Sequence, residues 1–218
     1  TAVTVSLRQT PAHVQLLVSD DGCGLFERIH QAFALDDPTL AMLEMSKGKL
    51  TSQPERHTGR GLFFTSRLAD VFDLHANHVA FQRRDWDAGA WRPGRPLEHA
   101  GTSVYAAIAL DTTRTLEGVM RSHALGDQSA GFDRTVVPLA LMTSAHDSLE
   151  SRAQARRVAA RLGQFQRAEV DFHGLTQVGH SFVDELFRVQ ARDASTQLVP
   201  VNMTASVAAL VDSVRNGL

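Results

Sequence analysis

Apolar and polar residues alternate in two runs at the start of the chain. The runs extend from Val3 to Leu7 and from Val14 to Val18, and a polar break at residues 9–11 separates them. A period of two is typical of strands that bury one face. The pattern therefore predicts a β-hairpin that ends close to residue 20.

Helix signals follow the hairpin. Asp37 before Pro38 predicts the N-cap and first turn of a short helix that ends near residue 45. Residues 46–57 are polar and contain Gly48 and Pro54, which predicts a mobile loop. Apolar spacing predicts the other elements of this half: helices at 25–33 and 62–72, strands at 74–83 and 102–110, and a hairpin excursion at 85–99.

The second half has a different rhythm. Residues 111–131 are polar and glycine-containing, which predicts a connection between domains that holds one helical turn. Strands are then predicted at 135–142, 168–172 and 197–201, and helices at 148–165, 181–191 and 203–214. Such alternation predicts a small sheet with helices packed against it. We therefore expect an α/β (α+β) fold, with domains at 1–110 and 132–218 joined by a linker at 111–131.

Composition narrows the class of protein. Hydrophobic residues make up 43% and charged residues 21% of the 218 positions, as in ordinary globular proteins. The net charge of -2 gives no general attraction to nucleic acid or to an anionic membrane. The single cysteine excludes an internal disulfide, and no apolar run approaches the roughly 20 residues of a membrane helix. We expect a cytoplasmic protein, or a piece of one, with no membrane partner.

Two short stretches carry candidate chemistry. The first is Asp20-Asp21-Gly22-Cys23-Gly24, which places a carboxylate and flexible glycines at a strand end. By itself it is better explained as a turn that ends the strand.

The second stretch begins a predicted helix and consists of His57, Thr58, Gly59, Arg60, Gly61 and Leu62. Free N–H groups and the macrodipole at a helix N-terminus favour an anion such as a phosphate. Arg60 is equally a phosphate contact or a solvated residue at the start of the helix. Together, a carboxylate that reads a base and a helix end that holds phosphates predict a nucleotide pocket.

These stretches resemble the two glycine boxes of the GHKL superfamily of ATPases, which includes gyrase, heat-shock chaperones and histidine kinases. The run from Gly59 to Phe64, followed by residues 67–70, is most similar to the anti-sigma-factor and histidine-kinase-like branch. Residues 133–218 resemble a STAS-like domain of unknown function, on the motifs at 171–175 and 181–186. The resemblance implies a partial Bergerat-type α/β sandwich followed by a small STAS-like domain.

The GHKL resemblance implies that ATP and Mg²⁺ are cofactors. Asp20 would accept a hydrogen bond from the adenine amino group, and Gly22 and Gly24 would shape the pocket floor. Gly59, Arg60 and Gly61 would lie against the phosphates, within the second stretch. The loop before them would be the ATP lid. Its phosphate contacts would be Lys47, Lys49 and His57, although both lysines are better explained as solvated lid residues.

In this superfamily the Mg²⁺-binding Asn, and in hydrolases a general-base Glu, lie on a helix before the hairpin. The given sequence begins at the hairpin. We therefore expect it to be the later part of a longer protein, with ATPase or serine-kinase-like activity only where such a helix exists. Any contact with nucleic acid would come from a domain outside this chain.

The STAS resemblance implies a phosphoacceptor at Ser181, at the start of a helix. Gly179 replaces the aspartate usually found two residues earlier, and Ser181 is otherwise explained as a helix N-cap. The hypothesis from both resemblances is an ATP-binding regulatory protein that signals through its lid and through STAS-like contacts with a protein partner or a second copy. The alternative is a protein-interaction scaffold with a degenerate nucleotide site.

Overall fold

The computed structural model describes residues 2–35, 37–87, 90–126, 131–143, 148–193 and 195–217. The chain divides into two compact units, Thr1–Met120 and Arg121–Leu218. Each unit contains both helices and strands, which confirms the predicted α+β class.

The first unit contains one antiparallel sheet. Its strands are β1 (Val3–Gln9), β2 (His13–Asp20), β3 (Val71–Ala76), β4 (Val79–Arg84), β5 (Trp91–Pro93) and β6 (Thr102–Ala109). They are ordered β1-β2-β6-β3-β4-β5. Val5 pairs with Val18 and Leu7 with Leu16, so the predicted hairpin is confirmed.

The helices of this unit are α1 (Leu25–Phe33), α2 (Pro38–Lys47) and α3 (Gly61–Leu68). They pack on the face of the sheet that buries Phe72 and Leu74. The ring of Phe26 meets that of Phe81 edge to face, with centroids 5.6 Å apart, and thereby holds α1 against β4. Asp37 accepts a hydrogen bond from the Thr39 amide (2.8 Å), which confirms the predicted N-cap of α2.

The helices cover only part of this face. Strand register places Val5, Val18, Val104 and Leu74 in one row across the sheet. Leu74 is 1% exposed, whereas Val5, on edge strand β1, is 65% exposed. The apolar residues whose alternation predicts β1 therefore do share one face of the sheet, but no described helix buries them.

Two predicted elements differ in extent. The predicted strand at 74–83 is the β3–β4 hairpin, because Asn77 has a left-handed backbone (φ 53°) that reverses the chain. The predicted helix at 62–72 ends at Leu68, because Ala69 is extended (ψ 145°) and leads into β3. Within the predicted linker lies α4 (Leu116–Ser122).

The second unit contains a parallel sheet ordered β7-β8-β9. Its strands are β7 (Arg134–Pro138), β8 (Arg167–Asp171) and β9 (Gln197–Val201), and its helices are α5 (Arg152–Ala159), α6 (His180–Asp184), α7 (Ala191–Asp193) and α8 (Ala205–Asn216). A π-helix over Glu185–Gln190 joins α6 to α7. The core buries Val170 of the central strand, Phe182 and Val211 completely. The predicted alternation of strand and helix is confirmed.

Two predicted elements in this unit are longer than the observed ones. The predicted strand at 135–142 ends at Pro138 and continues as a 3₁₀ turn over Leu139–Met142. The predicted helix at 148–165 is α5 followed by a 3₁₀ turn, because Arg161 has φ 61° and interrupts the helix.

Candidate functional site

A cavity of about 590 Å³ opens in the first unit between α1, the loop before α3 and the first turn of α3. Its lining residues are Leu25, Arg28, Ile29, Phe33, Met45, Leu50, Thr51, Ser52, Arg56, His57, Thr58, Gly59, Arg60, Gly61, Leu62 and Phe63. The whole second glycine stretch, residues 57–62, therefore lines one cavity. This volume lies within the range of small-molecule sites.

The other predicted ligand-binding residues do not line this cavity: Asp20, Gly22, Gly24, Lys47 and Lys49. The first glycine stretch reaches the cavity only indirectly, because it leads into α1, whose Leu25, Arg28 and Ile29 form part of the wall.

The glycines of the second stretch have two different tasks. Gly59 has φ +66°, and a Cβ there would lie 2.6 Å from the carbonyl oxygen of Leu50. It thus allows the loop to close on itself, where the Lys49 amide donates to the Gly59 carbonyl (3.2 Å). Gly61 begins α3, and a Cβ there would meet nothing within 4 Å. The first turn of α3 is therefore open to the cavity at Gly61.

The carboxylate of Asp20 is held by its own turn. Its Oδ1 accepts hydrogen bonds from the amides of Gly22 (2.8 Å) and Thr102 (3.3 Å). Gly101 packs on this turn so closely that a Cβ would lie 2.1 Å from the Asp20 carbonyl oxygen. The first glycine stretch is thus a turn at the end of β2. It is held in place by hydrogen bonds to Asp20 and by the close packing of the segment before β6.

Asn77 is a residue that the sequence reasoning missed. From the β3–β4 turn its side-chain amide donates to the Cys23 carbonyl (2.9 Å), and its Oδ1 accepts from the Gly101 amide (3.0 Å). Asn77 therefore links the first glycine stretch to the segment before β6. An Asn-His pair inside the apolar run at 74–83 was the available signal, because Asn tolerates the left-handed conformation of a turn.

The two lysines predicted to contact phosphate, Lys47 and Lys49, do not line the cavity. Lys47 is 1% exposed, and its Nζ lies 2.5 Å from Glu44 Oε1 within α2. Lys49 follows α2 with φ 61° and binds the loop through its backbone. The ammonium group of Lys47 therefore forms a buried ion pair inside the first unit.

The cavity wall is cationic. Arg28, Arg56 and Arg60 line it, and no Asp or Glu is among the lining residues that the structure describes. Arg28 and Arg56 are exposed, and neither side chain forms a hydrogen bond or ion pair with another described residue. The sequence reasoning missed both, because no local motif sets them apart from other surface arginines.

The residues around the cavity do not fit Mg²⁺. In proteins, Mg²⁺ prefers carboxylate oxygens in octahedral geometry, and the part of the lining that the structure describes offers no Asp, Glu, Asn or Gln. Throughout the described ranges, no group of three or more His, Cys, Asp or Glu side chains is placed to hold a metal ion. The site therefore has the charge for an anion but lacks side-chain ligands for the cation that the GHKL resemblance implies.

Ser181 lies in the second unit as the second residue of α6 and is exposed. The cap residue of α6 is Gly179, with no side-chain cap. The interpretation of Ser181 as the N-cap is therefore wrong, because the helix begins one residue before it. Phosphorylation of its accessible hydroxyl stays a prediction.

Near it, two buried acids tie α5 to the end of α6 and to the start of the π-helix that follows. Arg152 donates to Asp184 (3.1 Å) and Glu185 (3.3 Å), and Arg156 donates to Glu185 (2.9 Å). The hydrogen bond from Arg188 lowers the pKa of Asp184, and that from Arg156 lowers the pKa of Glu185. The guanidinium groups of Arg152 and Arg156 are thus used inside the second unit.

Comparison with known proteins identifies part of the second unit. Residues 154–208 match the family model described as a STAS-like domain of unknown function (DUF4325). The match runs from α5 to the start of α8 and confirms the STAS-like part of the resemblance. No curated protein and no solved structure is significantly similar to the chain, and the GHKL resemblance has no support from these comparisons. In the described part of the chain, every helix is too short or too polar to cross a membrane.

Proposed function

We propose that this chain is a nucleotide-binding regulatory protein. Its first unit would bind ATP in the cavity at the start of α3, and its STAS-like unit would contact a protein partner. The cavity carries this proposal, because a glycine-rich helix start and three arginines line a space of about 590 Å³ whose described lining residues include no Asp or Glu.

The wall offers the two kinds of contact that a nucleotide needs. Amides at the start of a helix have no acceptor within the helix, and a Cβ at Gly61, where α3 begins, would meet nothing within 4 Å, so a phosphate has room to approach there. Ile29, Phe33 and Leu62 supply apolar surface for a base.

Regulation would follow from the loop before α3. Leu50, Thr51 and Arg56 belong to this loop and line the cavity together with α1. A ligand that contacts both sides favours the loop conformation in which both are present. The shift is limited to the difference in affinity between the two loop conformations.

Calorimetric titration of ATP into the wild-type chain and into Gly61→Ala tests the proposal. The added methyl group would occupy the open position, and we expect an affinity loss of about tenfold. Gly163→Ala is the matched control, because a Cβ there also meets nothing within 4 Å and the position lies in the second unit. Asp20→Asn tests whether the first stretch reads the base. Absence of ATP binding to the wild type would contradict the proposal.

The alternative is a protein-interaction scaffold with a degenerate nucleotide site. Asp20 favours it, because Oδ1 of this carboxylate is engaged in its own turn and the residue does not line the cavity. The scaffold predicts no heat of ATP binding in any buffer. It also predicts a sedimentation coefficient, and hence an oligomeric state, that ATP does not change.

A further inference from the structure

Arg28 and Arg56 differ from five other arginines of the first unit, whose side chains all have partners within that unit. Arg84, Arg92 and Arg114 each pair with an aspartate, and Arg67 and Arg83 donate to main-chain carbonyls. The side chains of Arg28 and Arg56 have no such partner among the described residues, although they line one cavity from two different elements.

The balance of charge at the cavity is therefore one-sided. An arginine on α1 and another in the loop before α3 line the cavity together with Arg60, and none of the described lining residues is an Asp or Glu. Guanidinium groups bind phosphate oxygens in a bidentate manner and keep their charge at every physiological pH. The described lining residues also offer Mg²⁺ no carboxylate and no side-chain amide oxygen.

We infer, on the basis of the proposed function, that Arg28 and Arg56 bind the phosphate chain of the ligand in this chain and take the place of Mg²⁺. The preferred ligand is a metal-free polyphosphate or nucleoside polyphosphate. Mg²⁺ bound to ATP removes two negative charges from the ligand, so it competes with the arginines instead of assisting them.

The experiment is calorimetric titration of ATP, and separately of inorganic tripolyphosphate, into the 218-residue chain in excess EDTA and in excess MgCl₂. We expect ATP to bind at least as tightly in EDTA as in MgCl₂. Arg28→Gln and Arg56→Gln should each weaken binding roughly tenfold in EDTA. Added NaCl should weaken binding to the wild type more than to either variant.

Arg8→Gln is the matched control, because Arg8 is an exposed arginine on β1 that lies outside the cavity. It should bind ATP as the wild type does. Far-UV circular dichroism and the urea midpoint of each variant exclude a loss of folding as the cause.

The outcomes separate this inference from the proposed function. Binding of ATP that requires Mg²⁺, with a loss of about tenfold or more in EDTA, would overturn the inference and leave the proposed function standing. Wild-type affinity in both arginine variants would overturn it as well. Binding of tripolyphosphate alone, lost in the variants, would support the arginine site and contradict the nucleotide. Absence of binding to either ligand would overturn both.

Discussion

The side-chain amide of Asn77 donates a hydrogen bond to the main-chain carbonyl of Cys23, at 2.9 Å, across 54 positions of sequence. Asn77 occupies the turn between β3 and β4, and Cys23 stands between the glycines that lead into α1. The same side chain accepts from the Gly101 amide. One residue therefore fixes the turn from which the cavity-lining helix begins.

Replacement of Asn77 should destabilise the first unit. Asn77→Ala removes two hydrogen bonds. It also leaves alanine in a left-handed conformation (φ 53°) that Asn tolerates better. We therefore expect a loss of about 2 kcal/mol in the free energy of unfolding. Asn77→Gly keeps the turn and should lose less. Urea unfolding followed by tryptophan fluorescence measures the loss, since Trp86 and Trp91 both lie in the first unit. His78→Ala, at the exposed next position, should change the midpoint little.

The two glycines of the second stretch should respond in opposite ways to the same substitution. Gly59→Ala forces a Cβ against the Leu50 backbone at φ +66°, and we expect a loss of roughly 1–3 kcal/mol in stability. Gly61→Ala adds a methyl group in open space at the start of α3 and should leave stability unchanged or raise it by a few tenths of a kcal/mol. Urea midpoints of the two variants test this, and equal midpoints would contradict the different tasks assigned to these glycines.

Local patterns were sufficient where local physics decides the structure. The alternation at β1 and β2, and the Asp37-Pro38 start of α2, are read directly from neighbouring residues. The turn at Asn77 is hidden inside an apolar run, because its conformation is stabilised by contacts with Cys23 and Gly101, which are distant in sequence. The position of Lys47 has a similar cause, since its burial beside Glu44 depends on how α2 packs.

In the cavity, too, some features follow from neighbouring residues and others depend on contacts between residues distant in sequence. The glycine stretch predicts the start of α3, and the structure confirms it. Arg28 and Arg56 join this stretch only when α1 and the loop fold around a common space. Sequence alone does not show which surface arginines acquire an acidic partner and which are left without one, because ion pairs depend on tertiary placement.

Arg114 should contribute more to the stability of the first unit than the exposed arginines of that unit do. Its guanidinium donates to the carboxylates of Asp70 and Asp85 and to the Leu68 carbonyl (3.3 Å). Burial acts to raise the pKa of Asp70, but hydrogen bonds from the Ala109 amide and Arg114 bring that pKa below its ordinary value. We expect Arg114→Ala to cost roughly 1–3 kcal/mol, measured by urea unfolding with tryptophan fluorescence.

Arg92 provides the matched comparison for Arg114. It pairs with Asp87 at 2.7 Å, but its side chain is 55% exposed, against 25% for Arg114. Exposed ion pairs contribute little, so Arg92→Ala should cost less than about 1 kcal/mol. Arg114→Lys tests the role of the planar fork, because an ammonium cannot serve two carboxylates and a carbonyl in the same geometry. Equal losses for Arg114→Ala and Arg92→Ala would contradict the stabilising role assigned to the contacts of Arg114.

The acidic pair of the second unit should make its stability depend on pH. Hydrogen bonds from Arg156 and then Gln190 lower the pKa of Glu185 in the folded state, so the folded carboxyl binds its proton less readily than the unfolded one. A lowered folded pKa contributes stability above the unfolded value, about pH 4.3 for Glu, and this contribution is lost as pH falls through the lower folded pKa.

Glu185→Gln keeps the size of the side chain but removes its charge, so it should be less stable than the wild type at pH 7. The deficit should shrink as pH falls below about 4, because the wild type then loses the same interaction. Hydrogen exchange of the β8 and α6 amides, measured along a pH series, reports on this unit, where the fluorescence of Trp86 and Trp91 does not. Glu98→Gln, at an exposed position in the first unit, is the control. A deficit that stays constant from pH 7 to pH 3 would mean that Glu185 supports the helices by packing and not by its charge.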